Sequence, residues 1–434
     1  MTRLEQLSRT IAMYKADLGI DDDHAVESAL RRISVLLAIG HPASSTRAGQ
    51  NAILTSAMLL ARSGHQVWIQ AADGPLVGHQ PPFSGASLHE AVQSVQGQLI
   101  EGSSIRLGAP DRIDIAFEFG TASSIAPYQC QRTVSVGWSA WSGEISDWPP
   151  QSPITEFDWP MGAMAAGVLV AAEVSKMAAR SLAPISTDPA AARASFACSR
   201  AARLILADED TPKLASLGNF TAISAGAVTN GLVFALARLP DIWGRVEVYD
   251  SDRSDGTNLN RNMMLLQRFL GLTKVELFEH FGHGLKVIAH PRRFIEPDLC
   301  GLRGRVAVGV DHIPSRWLLA RGRYDWMGVG ATSHFNVLSS FHYPFSGCPA
   351  CLHPHDEAGP EITPTIAHVS FLAGLLLATD LIVDVAGAKA SLLSRHRYIS
   401  TQAFGQNGAD IVMGVPPHRG CQAGCPASQI RNVG

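Results

Sequence analysis

The chain has 434 residues, 46% of them apolar and only 17% charged, a balance that supports a sizeable core and argues against long disordered arms. That length exceeds what one core usually serves, so two domains are expected. With 35 basic against 38 acidic residues the net charge is −3, which leaves no electrostatic footprint for nucleic acid or an anionic membrane and favours small molecules or proteins as partners.

Taken in chain order, "RLEQLSRTIAMYKADLGI" has the apolar spacing of an amphipathic helix and is expected to be a packing element. The N-terminus lacks a signal-peptide core. The longest uncharged apolar stretch, "PMGAMAAGVLVAA", meets Glu173 before reaching the ~20 apolar residues that a bilayer requires, so a cytoplasmic protein without membrane contact is expected.

Residues 33–73 have the pattern strand, glycine-containing turn, helix, strand, and residues 219–252 repeat it, ending on "VWIQAAD" and "VEVYDSD". Each is a βαβ unit and implies a parallel sheet. Two further landmarks recur in the same order: "VSVGWSAWSG" with "MGVGATSHFN", and a helix after Pro160 with one after Pro364. The expected fold class is therefore α/β, with two Rossmann-like domains that duplicate one another, mostly parallel sheets and flanking helices. The join is placed near residue 186, in the proline-rich "RSLAPISTDPAAARASF", which gives domains 1–185 and 186–434.

In the second unit "SAGAVTNG" occupies the turn where backbone amides and a helix N-terminus can face a phosphate. Only Gly226 is in register with a G-x-G-x-x-G pattern. Ser224 and Thr229 replace its first and third glycines, and Gly231 falls just beyond. Asp250, at the end of the second strand, stands where such folds accept ribose hydroxyls, and its counterpart in the first unit is Ala71. Asn258, Asn260, Arg261 and Lys274 follow as candidate donors to a polyphosphate.

The stretch "VEVYDSDRSDGTNLNRNMMLLQRFLGLTKVE", together with "VAVGVDHIPSRWLLA", resembles the ThiF-like adenylyltransferases, the superfamily of ubiquitin-activating enzymes. In that family the first stretch is D-x-D-x-v-x-x-S-N-L-N-R-Q followed by G-x-x-K, with Asn262 here for the glutamine. The second begins D-N-x-x-x-R, with His312 here for the asparagine. The resemblance implies that Asp250, with Asp252 beside it in the motif, holds the ribose of ATP, that Arg261 and Lys274 neutralise the triphosphate, and that Asp311 holds Mg2+. Arg261, Lys274 and Asp311 would be the catalytic residues of carboxylate adenylation.

Cys348 and Cys351 in "GCPACLHP", with Cys421 and Cys425 in "RGCQAGCPAS", form two close pairs whose four thiolates suit tetrahedral zinc. Paired cysteines are common in the family, so the resemblance implies structural Zn2+. His353 and His355 are nearby spare candidates. Cys130, Cys198 and Cys300 remain as thiols able to carry an acyl group, and "LHPHDEAGPEITPTIAHVS" after the first pair contains no cysteine.

The arrangement implied is a single-chain pseudo-dimer in which an inactive adenylation-like half braces an active one. Its substrate would be the C-terminal glycine of a ubiquitin-like protein in a bacterial modification system, with transfer to a thiol of a conjugating-enzyme-like protein. Adenylation of a peptide or sulfur-carrier C-terminus and a non-catalytic scaffold are the alternatives. An NAD oxidoreductase is disfavoured, because no hydride-transfer constellation accompanies the turn.

Overall fold

The computed structural model describes residues 1–120, 130–148, 154–355, 363–388 and 393–430. The first sheet is built from β1 (Ser34–Ile39), β2 (Gln66–Ala71), β3 (Ser104–Leu107), β4 (Ile115–Phe119), β5 (Thr133–Trp138), β6 (Ser142–Ser146) and β7 (Ala201–Ile205). The second is built from β8 (Ser216–Ile223), β9 (Trp243–Tyr249), β10 (Leu285–His290), β11 (Arg305–Val308), β12 (Trp326–Ser333), β13 (Asn336–His342), β14 (Arg395–Ser400) and β15 (Asp410–Gly414).

Their strand orders are β3-β2-β1-β4-β5-β6-β7 and β10-β9-β8-β11-β12-β13-β14-β15. In both, the first five strands run parallel and those beyond are antiparallel. The same order twice in one chain is the duplication expected from the two βαβ units, and the class is α/β. The join expected near residue 186 lies ahead of β7, which completes the first sheet, so the sheets themselves divide between Ile205 and Ser216.

Continuous apolar runs such as Val35–Ile39 are buried on both faces, as parallel strands covered by helices require. The covering helices on the inner side are Arg47–Arg62 and Met161–Leu182 from the first half, Ala227–Leu236 and Ala367–Val385 from the second. Met161–Leu182 and Ala367–Val385 are apolar around nearly their whole circumference and pack on each other between the halves. Both regions are long and apolar enough to cross a membrane, but they are 94% and 83% buried inside the protein, which is the position of core helices. The N-terminal amphipathic segment forms two helices, Arg3–Gln6 and Ser8–Leu18, the second ending where Gly19 adopts φ +62°. Tyr14 of that helix packs edge-on against Phe335 of the second half at 5.6 Å between ring centres.

Candidate active site

In the second sheet the connections leave β8 toward β9 on one side and β11 toward β12 on the other. The strands part at their carboxyl ends there, which is where open α/β sheets form a ligand crevice. The crevice has two adjoining parts, one of 420 Å³ and one of 210 Å³, and Ser224, Asp250, Asp252 and Asp311 border both.

The larger part is a slot of mixed character, with Ile223, Val310, Leu318 and Leu319 forming an apolar wall, Tyr249 and Phe294 at its side, and Asp250, Asp252 and Asp311 along its polar edge. Tyr249 stacks on His290 at 4.2 Å and meets Phe294 edge-on at 5.3 Å, so the slot has a rigid aromatic flank. The smaller part sets three cations against the three carboxylates of Asp250, Asp252 and Asp311. Lys274, Arg261 and Arg9 line it together with Gly226.

The glycine turn is shaped by Asp250. Its Oδ2 accepts from the Ala225 amide at 2.7 Å and its Oδ1 from the Asp252 amide at 2.8 Å. Ser224, where the motif would have its first glycine, adopts φ +78°, a left-handed backbone that a side chain disfavours. Its hydroxyl accepts from the Gly226 amide at 3.0 Å and holds the turn. Gly226 is the N-cap of helix Ala227–Leu236 and gives it no side-chain cap, so amides of the first turn face the crevice. In the first half the corresponding helix is capped by Thr46, whose Oγ1 accepts from the Gly49 amide at 3.1 Å. Gly231 has another task, packing against Phe371 and Gly374 of the facing helix.

Of the predicted residues, Gly226, Asp250, Asp252, Arg261, Lys274 and Asp311 converge on the crevice. Lys274 Nζ donates to Asp252 Oδ2 at 2.7 Å. Arg261 is buried, and its Nη1 donates to the Thr257 carbonyl at 2.6 Å and to Asn260 Oδ1 at 2.8 Å. Burial lowers its pKa to about 9 and neighbouring Arg9 adds to the shift, while Asp255 and Asp311 oppose it. Asp311 is exposed, and among the described residues its carboxylate makes no hydrogen bond or ion pair, so its oxygens are free for a cation. His312 borders the slot, with Nδ1 2.8 Å from Ser315 Oγ.

Asn258 and Asn260 lie behind the crevice. Asn258 Oδ1 accepts from the Asp255 amide at 3.2 Å, and Asn260 Nδ2 donates to Thr10 Oγ1 in the first half at 3.2 Å. Both amides are thus engaged in holding the loop that carries Arg261. Arg9 escapes sequence reasoning: it sits in the helix expected only to pack, and its Nη1 donates to the Thr363 carbonyl at 3.1 Å beside the smaller part of the crevice. Its proximity follows from how the halves dock, for which one strand-and-turn pattern contains no signal.

The four cysteines meet as a cluster whose sulfurs all lie within 4.8 Å of one another. Cys348 is 3.8 Å from Cys351 and 3.5 Å from Cys421, and Cys351 is 3.6 Å from Cys425. A disulfide requires about 2.05 Å. A tetrahedron with ~2.3 Å metal–sulfur bonds has edges of about 3.8 Å, so the donor set and spacing fit zinc. The cluster packs against Trp317 and Ala320 of helix Ile313–Ala320, which follows Asp311 directly. His353 and His355 are outside the cluster, and burial holds His353 down to about 4. One zinc per chain is the expected content by elemental analysis. Cys421→Ser should lose it, lower the thermal midpoint and raise protease sensitivity after residue 415; an unchanged melt in the metal-free protein would show that the sulfurs hold no structural ion.

Cys130 Sγ donates to the Arg132 carbonyl at 2.9 Å in the first half, burial raises the pKa of Cys198, and Cys300 is exposed. Among the described residues none of the three lines the crevice. Part of the loop after the first cysteine pair, 356–362, lies outside the described residues.

Fold and crevice together define a duplicated α/β protein with a polar cleft at the strand switch point of its second half. A family model described as the BilD N-terminal domain matches residues 34–199. Protein y4jF of Sinorhizobium fredii, described as uncharacterized, is 25% identical over 334 residues, which cover 75% of this chain and 61% of y4jF, so the chain spans less than two thirds of that relative. Among solved structures, E. coli MccB with ATP is similar at 17% identity and a TM-score of 0.38, over 50% of this chain and 67% of MccB. The microcin C7 biosynthetic enzyme MccB with N-formylated MccA has 17% identity and a TM-score of 0.39, over 50% and 69%. PaaA has 11% identity and a TM-score of 0.35, over 46% and 64%.

Proposed function

We propose that this chain is an ATP-dependent adenylyltransferase that activates the C-terminal carboxylate of a polypeptide. The convergence of Arg9, Arg261, Lys274, Asp250 and Asp311 on one switch-point crevice carries the reading. Asp250 would accept the ribose hydroxyls, the apolar wall and the aromatic flank at Tyr249 would take the base, and the open N-terminus at Gly226 with the three cations would take the phosphates. Asp311 would hold Mg2+, which supplies positive charge to the phosphate oxygens.

A carboxylate oxygen of the polypeptide attacks the α-phosphorus, the bond from that phosphorus to the bridging oxygen breaks, and pyrophosphate leaves. No side-chain nucleophile or proton transfer is needed. Catalysis reduces to alignment and to stabilising charge on phosphate oxygens. The first half braces the second: its strand β2 ends on Ala71, and its matching helix N-terminus is already capped by Thr46.

Both a ubiquitin-like protein ending in glycine and a short peptide in biosynthesis present this carboxylate. Transfer to a conjugating-enzyme thiol belongs to the first. ATP–pyrophosphate exchange should appear only when such a polypeptide is added. Equal rates with a full-length protein and its terminal peptide would assign the substrate to peptides, whereas dependence on the folded body would assign it to ubiquitin-like proteins. Absence of Mg·ATP binding in a calorimetric titration would remove the whole reading. Arg9→Ala should raise the KM for ATP by about tenfold while the fold persists, because a cation supplied across the halves is lost.

A further inference from the structure

Two arginines occupy matching places at the boundary between the halves. Arg62 ends helix Arg47–Arg62, and Arg238 follows helix Ala227–Leu236. Both are fully buried, and among the described residues neither has a carboxylate partner. Each reaches into the other half. Arg238 Nη1 donates to Asn51 Oδ1 at 2.9 Å, and its Nε and Nη2 donate to the Pro81 carbonyl at 3.1 and 2.8 Å. Arg62 Nη1 donates to the Leu259 carbonyl at 2.6 Å, and its Nη2 donates to the carbonyls of Met263 at 3.1 Å and Leu265 at 2.5 Å.

The two targets differ in what they support. Pro81 belongs to the half whose helix N-terminus is capped by its own threonine. Leu259, Met263 and Leu265 bracket Arg261 on both sides, in a stretch of short turns that no sheet ladder holds. Side chains hold it instead: Asn230 Oδ1 accepts from the Met264 amide at 3.0 Å, Asn260 Nδ2 donates to Thr10 Oγ1 at 3.2 Å, and Leu259, Met263 and Leu265 are buried in the core. An apolar side chain would fill the same space without the cost of desolvating a guanidinium, so the fork's value is directional: it orients three carbonyls at once. Resting on the nucleotide-binding reading above, we propose that Arg62 is a positioning residue of the crevice, fixing the backbone from which Arg261 reaches the triphosphate and so making the first half necessary for ATP affinity.

The test compares Arg62→Met, Arg62→Lys and Arg238→Met in the full chain. Without nucleotide, Arg62→Met should speed hydrogen exchange of the amides over 257–266 by about tenfold or more, while Arg238→Met leaves them protected. In pyrophosphate exchange, Arg62→Met should raise the KM for ATP by about tenfold, with Arg62→Lys intermediate, since an ammonium can serve only part of the carbonyl set. Arg238→Met should lower the thermal midpoint but keep the wild-type KM. If Arg62→Met behaves like Arg238→Met in both readouts, Arg62 is an interface peg and the proposal fails. Should Arg62→Met not fold, a wild-type KM and wild-type amide protection in Arg62→Lys overturn it equally. A wild-type chain that binds no ATP defeats the nucleotide reading alone, and the amide comparison still decides whether Arg62 anchors the loop.

Discussion

Lys274→Ala and Asp311→Ala are each expected to abolish polypeptide-dependent ATP–pyrophosphate exchange, with losses of about a thousandfold or more. Both residues line the smaller part of the crevice, yet little of the fold depends on them. Lys274 Nζ donates to Asp252, whose side chain is 61% exposed, and such a pair contributes little to stability. Asp311 is exposed at the start of helix Ile313–Ala320 and makes no hydrogen bond among the described residues. A loss of rate should therefore come with a nearly unchanged thermal midpoint, which separates a chemical role from a structural one. Lys274→Arg should recover only part of the activity, because a planar fork cannot take the place of a compact ammonium between a carboxylate and a phosphate. Asp311→Asn should behave like the alanine variant, since the charge and not the shape of the side chain is what a divalent cation requires. Exchange at the wild-type rate in either alanine variant would withdraw that residue from the site.

Much of the architecture was legible because it rests on local pattern. Short apolar runs such as "VLLAI", bounded by turn residues, fit strands buried on both faces, and the helix between them follows from the apolar spacing of residues 47–62. The cysteine pairs were legible for a similar reason, since each short spacing already brings two thiols together and leaves only the meeting of the pairs to the fold. What escaped depends on tertiary approach. Strand β7, "AARLI", follows the proline-rich stretch in which the join is placed, so the sequence assigns it to the second domain, whereas it pairs with β6 and completes the first sheet. Arg9 gains its place only when the halves dock. Tyr249 and Phe294 form one aromatic flank from positions either side of β10, a proximity that no spacing encodes. Asn258 and Asn260 show the reverse: their place in the motif suggested contact with phosphate, whereas their amides secure the loop from behind.

The duplication also makes matched substitutions informative, and the largest expected effect on stability lies at Gly374. A β-carbon there would stand 2.3 Å from the Val228 carbonyl oxygen, 2.5 Å from the Leu232 nitrogen and 2.7 Å from the Gly231 carbonyl carbon. All three are backbone atoms of helix Ala227–Leu236, which is buried and cannot yield by rotating a side chain. Gly374→Ala must therefore push two buried helices apart, at a cost of about 3 kcal/mol or more. Gly167 holds the comparable place in the first half, but there a β-carbon meets Thr55 Cγ2 at 3.1 Å and the Ser56 nitrogen at 3.2 Å, contacts that small shifts relieve. Gly167→Ala should cost about 1 kcal/mol or less. The two variants also diverge in function. Helix Ala227–Leu236 presents its N-terminus to the crevice, so Gly374→Ala should weaken ATP binding even below the melting transition, whereas Gly167→Ala should leave it intact. Thermal melts read alongside nucleotide titrations decide the matter. Equal destabilisation by the two alanines would mean that the helix crossing in the second half is looser than the 2.3 Å approach requires.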